Sequence, residues 1–546
     1  MEGNRRKRRL WPWLVVLAVI GGLLVYNYWP SEPEEIIISR ETTYILGPLN
    51  SDGTVNYVKY LDDKYSQGVT ADNNAAPLLL RAFGPDMLPD KIRSETLSRL
   101  NLPADILDRD KHFIEWRDRA RPAKADANDA NSPTTQEQAE DNSEDEPNIN
   151  DVYEMLLTGQ VHPDLEAWLA SNAGPLELVR QSTAKDKFYL PLVSNSTPPS
   201  MIEMSVPTLV GFHRSASALA ARAILKMMHN DPRGAWDDVL TIHRLARLVG
   251  QGPTLIHQLV ASGCEEIAAR AGIVLATRSP MDVAQTQDVL GKLKALRPMA
   301  DMVKFVDEVE RFCGLDVAMR ITSTGDLRPL SIPGAPNWGR TVCLDTNRAL
   351  RDMNSWYDRM VKPLRLPRFQ GRAEAQKAFD DEFKAFATRA GERATPLRVG
   401  LLRFGGRLTR QGMTDLVSDF VVAIMVPILT KACDIADQAK MASEIETLAI
   451  ALACFHAEQG RWPAELKELC PSLLKEITAD RFSTSPLIYR PGEKGYLLYS
   501  VGRNLRDDGG QCEPRGSGKP SDEKKDDIAA EVKSEEAASK PAASQR

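Results

Sequence analysis

Two hydrophobic rhythms divide this chain. Through residues 151–410 apolar positions recur every three to four residues in one run after another, the mark of amphipathic helices. Beyond residue 480 they alternate instead, as in strands with one buried face. The clearest helical piece is 215–249, two amphipathic runs split by Asn230-Asp-Pro-Arg233. Leu219, Ala223, Ala235 and Val239 fall where a tetratricopeptide-like hairpin sets small and apolar residues. One such unit is no array, because stable arrays need about three repeats. The pattern therefore predicts an antiparallel helical hairpin within an irregular α-domain. Further helices are predicted over 254–276, 281–296, 299–311, 345–364 and 372–390, with a Pro- and Gly-rich loop over 323–340.

Upstream, the helical pattern begins near Val55 and continues through Asn73-Asn-Ala-Ala-Pro-Leu-Leu-Leu80, with Gly84-Pro85 as a stop signal. Residues 30–48 look extended, and Ile36-Ile-Ile38 with Thr43-Tyr-Ile-Leu46 predict a short strand. Downstream, 414–459 is the longest candidate helix. Met441, Ile445, Leu448, Leu452 and Phe455 form one continuous apolar stripe, and Pro427 should kink or interrupt the run. Residues 416–429 are too short a stretch to cross a bilayer comfortably, which favours a buried helix. A short helix at 464–470 follows. Leu487-Ile-Tyr-Arg490 and Tyr496-Leu-Leu-Tyr-Ser-Val501 then flank Pro491-Gly-Glu-Lys-Gly495, predicting an antiparallel hairpin with a loop of about five residues.

One run fits neither rhythm. Residues 10–28 are apolar or aromatic without a formal charge, behind the cationic cluster Arg5-Arg-Lys-Arg-Arg9. A helix of about 19 residues rises roughly 28 Å, close to the hydrocarbon thickness of a bilayer. Trp11, Trp13, Tyr26, Tyr28 and Trp29 mark its two ends, and the cations predict a cytoplasmic N-terminus. The reading is a single-pass inner-membrane anchor with the bulk of the chain extracytoplasmic. A cleaved signal peptide is the rival, opposed by the length of the run and by bulky Tyr28-Trp29-Pro30 where small residues would be needed.

At 546 residues, 42% hydrophobic and 26% charged, the chain has material for two or three domains. Residues 121–150 and 513–546 are rich in charge, Ala, Ser, Pro and Asn or Gly, and too poor in large apolar residues to offset their ordering entropy. They predict disordered segments. The expected order is stub and anchor at 1–29, a mostly helical region at 30–120, an acidic linker at 121–150, a helical domain at 151–412, an α+β module at 413–512 and a tail at 513–546. A formal charge of −6 without a concentrated basic face beyond the anchor argues against nucleic-acid binding.

Candidate chemistry is sparse. The seven cysteines include no C-x-x-C pair. Outside the membrane Cys454 with Cys470 is the leading disulfide candidate and Cys313 with Cys343 a second; buried free thiols are the alternative, and an odd total leaves one over. No histidines stand at H-x-x-x-H or H-E-x-x-H spacing, and no nucleophile elbow, Walker loop or dinucleotide fingerprint follows a strand. His243 and His257 flank Gly250-Gln-Gly-Pro253, and the favoured reading is that both are satisfied structural histidines; the alternative is convergence across a helix turn, beside Glu265 or Glu266. The acidic pairs Asp237-Asp238 and Glu265-Glu266 sit on diverging helix faces.

The order of long helix, Glu458-Gln-Gly-Arg-Trp-Pro463 turn, short helix, Pro486-Leu-Ile-Tyr-Arg490, Gly495-Tyr-Leu-Leu-Tyr-Ser-Val-Gly502 and Asp507-Asp-Gly-Gly510 resembles the periplasmic domain of type II secretion pseudopilins and type IV pilins. The resemblance covers about 100 residues. It implies a long helix on a small antiparallel sheet and, from the calcium loop of major pseudopilins, Asp507 and Asp508 as candidate calcium ligands. The leader, the Gly–Phe processing point and the glutamate that open a pseudopilin do not precede this C-terminal helix, so the resemblance implies shape rather than polymer assembly. Thr43-Tyr-Ile-Leu-Gly-Pro-Leu49, Gly53-Thr-Val-Asn-Tyr-Val58 and Gly68-Val-Thr-Ala-Asp-Asn-Asn-Ala-Ala76 resemble a group of large envelope proteins of planctomycete-type bacteria. So do the stretch from His243 to Leu255 and Met353-Asn-Ser-Trp-Tyr-Asp358. That group brings no catalytic residues. The expectation is therefore a membrane-anchored structural or interaction protein of the envelope, without an identifiable catalytic site. The alternatives are an extracytoplasmic hydrolase of wall or glycan with carboxylates in a cleft, and a secretion accessory acting through the pilin-like module.

Overall fold

The computed structural model describes residues 15–22, 35–119, 147–279, 281–324, 344–366, 369–393, 410–425, 429–483, 485–513 and 525–532. The expected linker at 121–150 and the tail beyond 532 lie almost wholly outside these residues. So do most of the loop at 323–340 and both ends of the apolar run at 10–28. The middle of that run, 15–22, is helical, and Val15, Val16, Leu17, Val19 and Ile20 are all exposed, Leu17 by 61%. Among the described residues no helix is long and apolar enough to cross a membrane.

The fold is mainly helical with a small antiparallel sheet near the C-terminus. Side-chain caps set many of the boundaries. Asn56 accepts from the Lys59 N–H to open α1 (Tyr57–Tyr65). α2 (Ala76–Phe83) ends at Gly84, whose φ of 73° needs a residue without Cβ; α3 (Asp90–Arg99) follows. Asn148 and Asp151 form a capping box on α4 (Ile149–Leu157), just inside the expected linker. After α5 (Leu165–Ser171) and α6 (Ala173–Ser182) comes the helical hairpin, α7 (Val210–Met228) and α8 (Pro232–Val249). Asp231 accepts from the Gly234 N–H and Pro232 opens the second helix, so the turn falls where the sequence placed it. Leu219, Ala223, Ala235 and Val239 are all fully buried between the two. Thr254 caps α9 (Leu255–Arg278), and Asp282 with Gln285 boxes α10 (Val283–Lys294). Next, Met302–Phe305 and a π-helical turn at Val306–Glu310 run into α11 (Arg311–Thr324). α12 (Thr346–Leu364) and α13 (Phe369–Arg393) follow, then α14 (Arg410–Met425) and α15 (Leu429–Gln459). Pro427, where an interruption was expected, lies outside the described residues.

Two hydrophobic cores result, and neither follows chain order. The first joins α2–α10, the later part of α15 and the sheet, from Leu79 through Leu219 and Leu452 to Leu498. The second joins α1, α11–α14 and the start of α15, from Leu61 through Phe312 and Tyr357 to Ala436. α15 thus belongs to both. Met413, Leu416, Val417, Val421 and Val422 of α14 lie in the second core, as a buried helix requires.

The sheet has the order β1 (Ile488–Pro491), β2 (Tyr496–Ser500), β3 (Ile528–Val532). β1 and β2 form the expected hairpin, Ile488 opposite Tyr499 and Pro491 opposite Tyr496. β3 comes from the stretch expected to be disordered, pairing Leu498 with Ala530. Alternation over five residues, with Ala530 buried, suffices once β2 offers an open edge. A second correction concerns residues 36–46, which form a turn rather than a strand. Tyr44 stands at φ 64°, and the Thr43 and Tyr44 N–H groups both donate to the Ser39 carbonyl. Asn347 and Asn354 of α12 satisfy the neighbouring backbone, so no sheet partner is needed.

Candidate functional site

A polar cleft of about 380 Å³ lies where α12, α13 and α14 meet. α12 contributes Arg348, Asp352 and Ser355 with Trp356 and Arg359, a polar stripe at helical spacing along a helix whose other face fills the second core. Opposite stand Glu382, Phe386, Arg389 and Arg393 of α13, and Asp415, Ser418 and Asp419 of α14. Most charges are paired: Arg348 with Asp415 at 2.8 Å, Arg359 with Glu382 at 2.7 Å, and Arg393 with Asp419 at 3.6 Å. Burial raises the Asp352 carboxyl above its ordinary range. Arg348 opposes that shift and the nearby Asp415 adds to it. Asp419 is raised by burial as well, against Arg393 and Arg389 and with Asp415 and Asp352. Three carboxylates therefore share one field. Trp356 is 7% exposed, with the Arg359 guanidinium 3.8 Å from its ring centre and Phe386 at 4.5 Å.

Sequence reasoning missed this site. Its acids come from three helices, with Asp352 more than sixty positions before Asp415 and Asp419, although the polar stripe on α12 was there to be read.

A second cluster is sealed in the first core. His243 of α8 is fully buried, with Nδ1 3.1 Å from Glu265 of α9 and Nε2 3.2 Å from Oε1 of Glu446 on α15. Arg247, one turn along α8, holds Glu265 with both terminal nitrogens, Nη2 at 2.8 Å. Burial alone would drive the His243 pKa down, but Glu446 and Glu265 together lift it to about 10. Burial alone would raise Glu265, yet His243 and Arg247 bring it down to about 2. Two cations thus face two carboxylates. Gly272 makes room for Glu446, since a Cβ there would lie 1.7 Å from Oε1.

His243 meets Glu265, but His257 goes elsewhere, so the two histidines do not converge. It bonds Thr254 Oγ1 at 2.6 Å and faces Phe188, with burial holding its pKa down to about 3. Glu266 lies outside the cluster, half-buried. Asp238 is buried against Arg222 and Lys226 while Asp237 is exposed, so that pair diverges as expected.

The third cluster lies beside the sheet. One oxygen from each of Asp508, Asp526 and Asp527 lies within 4.8 Å of the others, a spread that ligands about 2.3–2.6 Å from one calcium ion can span. The turn from Gly502 to Gly510 is organised round them. The Arg503 N–H donates to Asp526, and the Gly510 N–H donates to Asp527 Oδ2 at 2.8 Å. Asp527 is 1% exposed, and its Oδ1 has no hydrogen-bond partner. Burial raises its pKa to about 6, with Asp508 and Asp507 adding to the shift. Asp508 thus stands in a group of acids. Asp507 does not: it accepts from the Tyr499 hydroxyl at 2.7 Å and from the Gly509 N–H, near Arg490. Cys454 and Cys470 are free thiols, Cys454 with its sulfur 3.6 Å from Glu458; no bond joins them. Cys343 lies outside the described residues. Comparison with protein-family models, curated proteins and solved structures finds no match to this chain.

Proposed function

We propose that this chain is a membrane-anchored, extracytoplasmic interaction protein of the cell envelope, with its helical body as platform and its C-terminal α+β module as a pilin-like unit packed on that body. The observation that carries the reading is the exposed apolar helix at 15–22, inside an uncharged run of anchor length that follows five cations. Left in water, five large apolar side chains on one short helix would be a liability; in lipid they are at home. Alkaline carbonate extraction with protease accessibility on spheroplasts tests it. Retention in the membrane with the body degraded from outside is expected, and release into the soluble fraction would overturn it.

We also infer that Asp508, Asp526 and Asp527 hold calcium. Asp507, the other candidate, is better used in fixing the turn through Tyr499. The support is the partnerless oxygen of Asp527, which a hard cation would satisfy. Calcium at a hundred times its dissociation constant should then stabilise the protein by about 2.7 kcal/mol. A thermal melt should show this upward shift in the wild type and lose it in Asp527→Asn; equal shifts in both would remove the site.

The glycan-hydrolase reading draws on the cleft, where Asp352, Asp415 and Asp419 converge. Against it, Arg348 and Arg393 already hold two of the three carboxylates, Asp415 and Asp419. Incubation of the detergent-solubilised protein with cell-wall glycan, followed for new reducing ends, decides between hydrolysis and binding. A secretion-accessory role draws on the pilin-like module alone and would show as co-purification with secretion components.

A further inference from the structure

The charges of the cleft between α12, α13 and α14 do not cancel within it pair by pair. Setting aside Arg348–Asp415, Arg359–Glu382 and Arg393–Asp419 leaves one group of each sign. Asp352 is half-buried and makes no hydrogen bond or ion pair among the described residues. Arg389 is exposed and donates Nε to the Ala385 carbonyl at 3.1 Å, one turn back; its charge reaches Asp419, but its terminal nitrogens make no direct ion pair among the described residues. A carboxylate drawn partly out of water without a donor is a cost unless something else supplies one.

We infer that this cleft binds a small dipolar ligand, an amino acid or short peptide with free termini, seating its ammonium on Asp352 and its carboxylate on Arg389. The inference rests on the reading of the cleft as a binding rather than a hydrolytic site.

Competing ligand chemistries fit less well. A simple anion such as phosphate would meet Asp352, Asp415 and Asp419 in the same walls. A bare metal ion would have to take Asp415 and Asp419 from their arginines. A neutral sugar lacks its usual platform, because Trp356 is buried with Arg359 over one face and Phe386 against the ring. A dipolar molecule gives Asp352 and Arg389 each a direct partner and leaves the three ion pairs intact. An ammonium brings donors that Asp352 lacks, and a guanidinium fork matches a carboxylate in two parallel hydrogen bonds. At about 380 Å³ the cavity is at the small end of ligand sites, suited to one or two residues rather than a long chain.

The test is calorimetric titration of the full-length protein in detergent with three probes: alanyl-alanine, N-acetyl-alanyl-alanine and alanyl-alanine amide. The free dipeptide should bind, and each blocked form should bind about tenfold more weakly or worse, since each loses a charge-assisted contact. Asp352→Asn should erase the preference for the free amine while keeping that for the free acid, and Arg389→Gln should do the reverse. Both side chains reach solvent, and unchanged far-ultraviolet circular dichroism checks the fold of each variant. No heat with the free dipeptide, equal binding of the three probes, or variants that keep both preferences would overturn the ligand assignment. Alanine released during titration would overturn the binding reading on which it rests.

Discussion

At the scale of single residues, His243 is fully buried and held by a carboxylate at each ring nitrogen. An imidazolium between two buried carboxylates, one of them also gripped by Arg247, is stable only as a complete set. Removing one member leaves a charge in the core without its counterpart, which costs about 3–5 kcal/mol. Urea unfolding of His243→Gln should show a loss of that order, and a change under about 1 kcal/mol would mean that the quartet contributes little. The pH dependence follows from the shifts. His243, raised to about 10, supplies stability that is fully present below its ordinary value near 6.5 and lost as pH climbs through 10. Glu265, lowered to about 2, supplies stability that is present above its ordinary value and lost as pH falls toward 2. Thermal midpoints should therefore decline from pH 6.5 to 10 in the wild type, and His243→Gln should flatten that limb. His243 and Glu265 were legible together because 22 positions of largely helical sequence separate them, with a single turn between. Glu446 was not, since nothing in a linear reading ties it to a histidine 203 positions away.

Single elements were read best where caps and periodicity agree. Asp231-Pro232 and Thr254 each gave a helix start that the structure keeps, and the β1–β2 hairpin stands in its expected place. Reading failed where one signal overrode another. In 36–46, β-branched residues suggested a strand, but Ser39, Thr42 and Thr43 hydroxyls bond the local backbone and curl it into a turn. In 528–532, charged flanking composition hid an alternation that β2 then recruits. Ending the chain after residue 513 should expose the β2 edge. Hydrogen exchange over Tyr496–Ser500 is expected to speed up at least about fivefold, at about 1 kcal/mol per lost ladder bond. Gly272 offers a sharper test of packing between α9 and α15. Gly to Ala inside a helix ordinarily stabilises by about 1 kcal/mol. Here the added methyl group meets Glu446, and Gly272→Ala should instead destabilise by about 1–3 kcal/mol in a urea melt.

For the molecule as a whole, the mainly helical class with a small antiparallel sheet near the C-terminus was legible in the sequence, and the grouping of the elements was not. Composition marks borders along a chain; burial ignores them. α1 joins helices that begin some 240 positions later, and the sheet closes the core begun by α2. Deleting residues from 413 onward, the obvious way to test the C-terminal module, therefore removes buried residues of both cores. Such a truncation should unfold the protein broadly, seen as loss of helical circular dichroism well beyond the deleted share. Partner loss in that variant would carry no meaning, and surface changes on the sheet are the better probe.

α15 itself carries a consequence for how this chain can change. Its 31 residues span about 46 Å, with Ala432 and Ala436 locked into one core and Met441 through Phe455 into the other. One residue inserted near Lys440 would rotate everything beyond it by about 100°, swinging Glu446 away from His243. Genetic drift is free to recolour the outer face of this rod, but its length is a ruler whose divisions cannot be redrawn.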